Sequence, residues 1–201
     1  LHYVVKQILK EAGELRTPAD DVYVEAFSEK QCHSRTWRLP EQHLALSEVE
    51  LEKRLGLTRP DLLCNATDTA GGHSYPCLCI EVTVSNTISQ ERRNRIREVG
   101  LPALEIDLSA LQGRITREGL KYLVVTSTYV KKWIYNPVLE QQSRDLEKEV
   151  KALAAAEDEA LEEERAEMRR VNALPLQEVA EQYLEKAYRY FLLLQDTGDS
   201  W

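Results

Sequence analysis

Glu81 lies in the middle of an apolar, alternating segment, and this feature constrains the fold more than any other. The segment separates into two sets of side chains, Leu78, Ile80, Val82 and Val84 in one and Cys77, Cys79, Glu81 and Thr83 in the other. In a β-strand the two sets face opposite sides of the sheet. Because an uncompensated carboxylate is costly to bury, the second side must provide a cation or a metal ion, or must line a cleft.

A second carboxylate, Asp61, lies in the loop RPD immediately before another apolar run. The Glu81 strand is followed by a basic helix over residues 88 to 99 and by a strand over residues 102 to 108. This order favours a parallel pair of strands joined by a right-handed crossover. Two carboxylates that meet at strand positions supply the oxygen ligands that Mg²⁺ takes from proteins. Asp61 and Glu81 are therefore candidate metal ligands.

The motifs RPDLL, IEVTVSN and GLPALEIDLS occur in this order, with the basic helix before the last of them. The order of the motifs resembles the PD-(D/E)XK nuclease superfamily. Their residues more closely resemble the nuclease domain of competence protein CoiA and its relatives. The resemblance covers about residues 1 to 136. It implies a mixed α/β sheet flanked by helices, as in restriction endonucleases, and metal-dependent cleavage of DNA. It also implies that Asp61 and Glu81 bind Mg²⁺ or Mn²⁺.

Thr83 departs from the superfamily pattern, which usually has a lysine two residues after the strand acid. Within this resemblance, Lys6, Gln90 and Arg93 are the candidates to replace that lysine. Lys6 lies with His2 on one face of a helix predicted over residues 2 to 12. The resemblance includes a helix of this kind with polar residues directed at the site, whereas solvated side chains are the alternative.

Two groups of basic residues are candidates for contact with DNA phosphates. The first group lies on the basic helix and comprises Arg92, Arg93 and Arg95. The second comprises Lys131 and Lys132, which are interleaved with aromatic residues in the sequence KKWIY. Aromatic side chains can stack on bases while cations meet phosphates. The alternatives are a solvated helix in the first case and aromatic residues that pack onto the sheet in the second.

The remaining patterns predict further elements before and after this central part. Hydrophobic periodicity and turn residues favour a strand over 22 to 27, a polar loop over 28 to 42, and a strand over 43 to 52 with a bulge or a short break near Ser47. They also favour a hairpin connection over 65 to 76 and a helix or a helix–strand mix over 116 to 127. Gly13 is the expected end of the first helix.

Charge is distributed unevenly along the chain. Residues 1 to 136 contain 18 acidic and 18 basic residues, whereas residues 137 to 201 contain 16 acidic and 8 basic residues and so carry the whole net charge of −8. The acidic excess therefore does not exclude a basic groove on the first part. We expect DNA binding there to be modest and sensitive to salt.

Pro137 begins a different kind of sequence, and we predict a domain boundary there, with a nuclease-like domain over 1 to 136 and a helical arm over 137 to 201. Residues 138 to 172 lack Gly and Pro and predict one long helix. After Pro175 a second amphipathic helix follows. Its apolar residues are spaced to pack on the long helix as a hairpin, or on a second subunit.

Three functional hypotheses remain open from the sequence. The first is a metal-dependent DNA endonuclease or DNA-processing protein. The second is a nuclease-like fold without catalysis that binds DNA or a protein. The third is an interaction protein that acts through its acidic arm, which can attract a basic partner or self-associate. No apolar run approaches the length of a membrane helix, and no signal peptide is recognisable at Leu1. The four cysteines are unevenly spaced and do not predict a disulfide framework, so we expect a cytoplasmic protein. The missing Met suggests a fragment.

Overall fold

The computed structural model describes residues 1–54, 59–85, 88–111 and 115–196, with side chains up to residue 192. The chain divides into two compact units. The first comprises Leu1–Glu25 and Ser34–Val150, and the second comprises Ala26–His33 and Lys151–Trp201. All residues that the sequence nominates for chemistry belong to the first unit.

Helices and strands follow each other in a mixed α/β order. The strands are β1 (Glu14–Thr17), β2 (Asp20–Phe27), β3 (Cys32–Leu39), β4 (Gln42–Leu51), β5 (Leu62–Asp68), β6 (Ser74–Thr83), β7 (Ala103–Asp107) and β8 (Lys131–Tyr135). The helices are α1 (His2–Ala12), α2 (Gln90–Val99), α3 (Arg117–Lys121), α4 (Pro137–Asn172) and α5 (Leu176–Asp196), and a short π-helical segment, Tyr122–Thr126, continues α3.

Among the described residues, six strands form one mixed sheet in the order β1-β4-β5-β6-β7-β8. The β6 and β7 strands are parallel, as the sequence predicts, and α2 connects them. The other neighbouring pairs are antiparallel. The strands β2 and β3 pair with each other in a separate ribbon. The sequence therefore leads to a mixed sheet flanked by helices.

The two faces of β6 are covered by different groups of residues. Leu78, Ile80 and Val82 belong to the main hydrophobic core, to which α1 contributes Val5 and Leu9. On the opposite face, a smaller apolar cluster lies beneath α2 and comprises Leu63, Cys79, Ile96, Ala103 and Ile134. Glu81 and Thr83 continue this second face toward the end of the strand, and each is only 3% exposed. The alternation read from the sequence is thus confirmed.

Several local predictions are confirmed by the backbone. Helix α1 ends at Gly13, which takes a left-handed conformation with φ 64°. The β4 strand has the predicted irregularity between Ser47 and Glu50, where Glu48 also has a positive φ of 51°. The positive φ at Glu48 lets the strand accommodate an extra residue without losing its pairing on either side.

Two local predictions are wrong. Residues 28 to 42 are not a single polar loop, because β3 occupies Cys32–Leu39 within them. Its side chains are mostly exposed, so the strand lacks the apolar alternation by which strands are recognised. The connection between β5 and β6 is also shorter than predicted, since β5 continues to Asp68 and β6 begins at Ser74.

In the second unit, the tip of the β2–β3 ribbon binds the acidic part of α4. The Glu157 carboxylate accepts hydrogen bonds from Ser28 and from Gln31 Nε2 (3.0 Å), and it pairs with His33 Nε2 at 2.9 Å. Arg165 donates to Glu29 at 2.6 Å. Part of the acidic stretch of the arm is therefore already engaged within the chain.

The two arm helices have the predicted bounds. Of the two packings predicted for the second helix, on the long helix as a hairpin or on a second subunit, the hairpin is not formed by the described side chains. From Leu176 to Leu192 every side chain of α5 is exposed except Val179, which is half-buried. The apolar face of α5 therefore has no cover in the described part of the chain. Periodicity predicted the face correctly, but it cannot identify what the face packs against.

Within the described residues, none of the helices combines the length and the apolar character needed to cross a membrane.

Val5 and Val4 offer a matched test of the core, because they are adjacent in α1 and differ in burial. Val5 is 0% exposed and Val4 is 38% exposed. We expect Val5→Ala to lower the free energy of unfolding by about 2 kcal/mol, since it removes two buried methyl groups and leaves a cavity. Val4→Ala should change it by less than about 0.5 kcal/mol. Urea denaturation followed by circular dichroism measures both, and equal losses would contradict the placement of α1 on the core.

Candidate active site

A cleft of about 400 Å³ opens in the first unit where the end of β6 meets the start of α1 and the start of α2. Its lining is mostly polar and includes His2, Asp61, Glu81, Thr83, Ser89 and Arg92. The Ser89 side chain also caps α2 by accepting a hydrogen bond from the Arg92 backbone N–H. The two carboxylates that the sequence nominated as metal ligands therefore lie in one cleft.

Asp61 is held in place by the backbone of β6. Its Oδ2 atom accepts a hydrogen bond from the Val82 N–H at 2.8 Å and lies 2.9 Å from His2 Nε2. The Asp61 side chain is 14% exposed. Charge-assisted hydrogen bonds to a backbone N–H are short and orienting, so the Asp61 carboxylate is directed toward the strand that carries Glu81.

Lys6 approaches Asp61 from the interior side of α1. Its Nζ lies 3.9 Å from Asp61 Oδ1 and donates to Glu52 Oε1 at 2.5 Å, and the side chain is only 4% exposed. Glu52 also accepts a hydrogen bond from Arg59 at 2.5 Å. The bond from Lys6, with the charges of Lys6 and Arg59, holds the pKa of Glu52 below its usual value. A buried ammonium group thus lies beside one candidate ligand and is anchored by another carboxylate.

Glu81 is the most perturbed acid of the cleft. Burial raises the pKa of Glu81 to about 7, with further increases from the charges of Asp61 and Glu105 and a partial offset from Arg92. Arg92 donates to Glu81 Oε2 at 2.6 Å and is itself 44% exposed. The Arg92 guanidinium therefore compensates Glu81 only in part and remains accessible from the cleft.

Glu105 forms a second charged cluster next to the cleft. It is paired in register with Glu81 across the parallel strands and is 0% exposed. Thr83 Oγ1 donates to its Oε1 at 2.8 Å, Arg93 donates to its Oε2 at 2.7 Å, and Lys132 Nζ lies 3.2 Å from Oε2. Thr83, which replaces the usual lysine, is therefore bonded to this neighbouring acid.

Sequence reasoning did not nominate Glu105 for the site, although a signal was present. Like Glu81, it is a carboxylate between apolar neighbours in a strand, here Leu104 and Ile106. The same cost of burial that drew attention to Glu81 applies to it. The predicted parallel pairing of the two strands would then have placed the acids side by side.

The other nominated residues lie outside the cleft. Gln90 is exposed and donates to Asn94 Oδ1 at 3.0 Å. Arg95 is half-exposed and lies 3.8 Å from Glu91 of the same helix. Neither side chain contacts Asp61 or Glu81 in the described structure.

The placement of Lys131 corrects the expectation that it contacts phosphate. The residue is 5% exposed, and its ammonium donates to the backbone oxygens of Arg16 at 2.7 Å and of Val125 at 3.1 Å. Burial, with the nearby charge of Arg16, lowers the pKa of Lys131 to about 7. In a strand adjacent residues face opposite sides, so only Lys132, which is half-exposed, lies on the side of the acids.

The donor set of the cleft fits a hard divalent cation. Asp61 and Glu81 provide carboxylate oxygens, and Mg²⁺ commonly takes one or two carboxylates from a protein and completes its shell with water and phosphate. The raised pKa of Glu81 shows that its charge is incompletely compensated. A cluster of three or more His, Cys, Asp or Glu side chains, as a closed all-protein site requires, is not found in the part of the chain that the structure describes.

Comparisons with known proteins give no match: no family model, no curated protein and no solved structure is similar to this chain.

The raised pKa of Glu81 predicts a specific dependence of stability on pH. As pH rises from 4.5 to 7, the unfolded chain releases the Glu81 proton while the folded chain retains it, so stability present below pH 4.5 is lost by pH 7. The slope expected from this carboxyl group is about 1.4 kcal/mol per pH unit. Glu81→Gln cannot titrate, so its stability relative to the wild type should increase across this window.

Urea denaturation in EDTA at half-unit pH steps measures this difference. Glu91→Gln is the matched control, because the Glu91 side chain lies on α2 and is 82% exposed. Its stability should follow that of the wild type at every pH. A pH-independent difference between Glu81→Gln and the wild type would contradict the raised pKa.

Proposed function

We propose that this chain is a metal-dependent deoxyribonuclease or DNA-processing protein that hydrolyses phosphodiester bonds in the cleft between α1, α2 and the end of β6. The observation that supports the proposal best is the meeting of Asp61 and Glu81 in one cleft that His2 and Arg92 also line. The buried ammonium of Lys6 lies 3.9 Å from Asp61. The resemblance of the RPDLL and IEVTVSN motifs to CoiA-like nuclease domains supplies the substrate class, which is DNA.

In this proposal Asp61 and Glu81 hold Mg²⁺ or Mn²⁺. A bound divalent cation supplies a water of lowered pKa and stabilises charge on the scissile phosphate. Asp61 is oriented for this role by the Val82 N–H and by His2. Glu81 must be ionised to act as a ligand, so we expect activity to rise as pH increases toward and above 7.

Lys6 is the best candidate to take the place of the lysine that Thr83 replaces. Its ammonium lies 3.9 Å from Asp61, whereas the Thr83 hydroxyl donates to Glu105. Glu52 accepts a hydrogen bond from the ammonium and fixes it beside Asp61. In this proposal the charge of the ammonium orients the attacking water and stabilises the developing negative charge. Of the three candidates, only Lys6 forms an ion pair with a proposed ligand in the described structure, whereas Gln90 donates to Asn94 and Arg93 to Glu105.

Arg92 is the best candidate for the substrate phosphate. It lines the cleft, is 44% exposed and carries a planar guanidinium that can donate two hydrogen bonds to phosphate oxygens. Arg93 is less suited to that role, because its side chain is 19% exposed and is bonded to the buried Glu105. We therefore assign substrate contact to Arg92 and structural charge compensation to Arg93.

Cleavage of a supercoiled plasmid in Mg²⁺ or Mn²⁺ tests the proposal. Loss of a residue that only supports a metal ligand typically costs 10–100-fold in activity or affinity. Because Glu81 is proposed as a direct ligand, Glu81→Gln should lower the cleavage rate by on the order of 100-fold or more. Glu91→Gln, on the exposed side of α2, should retain the wild-type rate. Calorimetric titration with Mn²⁺ should show binding to the wild type that is lost in Glu81→Gln.

Two outcomes would contradict the proposal. Equal cleavage by the wild type and Glu81→Gln would place the activity elsewhere. Salt-dependent DNA binding by a folded wild type that cleaves in neither metal would favour the inactive, binding-only hypothesis. Circular dichroism spectra of each variant establish that a loss of cleavage is not a loss of folding.

A further inference from the structure

The second arm helix, α5, presents an uncovered apolar face that the proposed active site does not use. On this face Tyr183 is 68% exposed, Leu184 70%, Tyr190 67% and Phe191 56%. Isolated exposed apolar residues are common, but a continuous exposed stripe between Leu176 and Leu192 marks an interaction surface.

The stripe has a strict alternation of three- and four-residue steps. The residues on its centre line are Leu176, Ala180, Tyr183, Ala187 and Tyr190. This spacing is that of a coiled-coil seam, in which each side chain inserts between those of a partner helix. Its unusual feature is that small alanines alternate with large tyrosines.

Size alternation determines which partner fits. In a parallel pair of α5 helices, Ala180 would face Ala180 and Tyr183 would face Tyr183, which gives layers that are alternately empty and crowded. In an antiparallel pair centred on Glu185, Ala180 faces Tyr190 of the second copy and Tyr183 faces Ala187 of the second copy. Each layer then combines one small and one large side chain, which is the arrangement that fills space between helices.

The exposed area is also sufficient for a stable pair. An aromatic side chain has 150–250 Å² to bury, and the three aromatic residues of the face together with Leu176 and Leu184 expose roughly 650 Å² per copy. Two copies would bury about 1,300 Å², which lies within the range of specific protein–protein interfaces. Tyrosine is moreover one of the residues that dominate binding energy at such interfaces.

We propose that α5 is a dimerisation helix that packs antiparallel on α5 of a second copy of this chain. The polar side chains of Glu178, Gln182 and Glu185 lie on the opposite side of the helix and remain solvated in this dimer. This inference is independent of the proposed nuclease activity, since no residue of the cleft takes part in it.

Sedimentation velocity of the full chain tests the proposal. The wild type should sediment as a dimer of twice 23.1 kDa with a dissociation constant in the micromolar range or tighter, as expected for an interface of this size. Ala187→Glu should weaken the dimer on the order of 100-fold, because it places a charge opposite Tyr183. Gln182→Glu, which adds the same acid on the solvated side, should leave the dimer unchanged.

A size exchange within one layer makes the test independent of charge. Ala187→Tyr alone should weaken the dimer because two tyrosines then meet, and Tyr183→Ala alone should weaken it because a gap remains. The double variant Tyr183→Ala/Ala187→Tyr restores one small and one large residue to the layer and should recover most of the association. Unchanged helical circular dichroism in all variants separates loss of pairing from loss of the helix.

Spin labels measure the orientation of the two helices. The exposed Cys32 and Cys77 are first replaced by Ser, and a labelled cysteine is then introduced at Glu178 or at Glu185. In an antiparallel pair centred on Glu185, the two labels at position 178 are displaced by about 21 Å along the axis, so their distance exceeds that at position 185. Equal distances at the two positions would overturn the antiparallel arrangement.

Other results would overturn the proposal as a whole. These are a wild type that stays monomeric at about 100 µM, well above a micromolar dissociation constant, or a dimer that Ala187→Glu does not weaken. A monomeric wild type that floats with phosphatidylglycerol vesicles would assign the apolar face to a lipid surface instead.

Discussion

The burial of two carboxylates side by side in neighbouring parallel strands is the constraint on which the rest of the first unit depends. Glu81 and Glu105 are in register and are almost fully buried. Two like charges at this spacing and burial are unfavourable unless cations lie close by. The adjacent helix and strand supply those cations through Arg92, Arg93 and Lys132.

The two buried carboxylates explain why α2 is rich in arginine. A run of arginines in sequence is commonly solvated or bound to phosphate, but in α2 the side chains of Arg92 and Arg93 are directed at buried acids, and Arg97 donates to the backbone oxygen of Ile134. The helix is basic because the sheet beneath it is acidic. Arg92 alone combines a bond to Glu81 with an exposed position at the cleft, and compensation of Glu81 is consequently incomplete.

In the second unit, acidic side chains of α4 bind polar groups of the β2–β3 ribbon. Glu157 of α4 binds Ser28, Gln31 and His33 at the tip of the β2–β3 ribbon. The apolar side chains of α5 from Leu176 to Leu192, apart from the half-buried Val179, are meanwhile exposed in the described chain. Part of the acidic stretch therefore binds within the chain, whereas the apolar face of α5 remains exposed in the described residues.

The sequence by itself determined those helices and strands that can be recognised from the pattern of their own residues. Alternation identified β6, and hydrophobic periodicity identified α1 and α5. The basic run identified α2, and the lack of Gly and Pro identified α4. A lone acid in an apolar segment identified Glu81 as a site. The ribbon strand β3 escaped detection because its exposed side chains carry no apolar alternation. For the site, local evidence was enough to nominate Asp61 and Glu81, and the family resemblance added Lys6. The structure places Glu81 in the same cleft as Asp61 and Lys6 beside Asp61.

Only the tertiary structure decided which side chains are partners. The register of β6 with β7 places Glu105 beside Glu81, and the folding of α1 against the sheet brings Lys6 to Asp61, 55 positions away along the chain. Lys131 and Lys132 are adjacent in sequence, yet one is buried on carbonyl oxygens and the other faces the acids. Residue type and periodicity specify which positions must be compensated or covered, whereas long-range register and packing select the groups that do so.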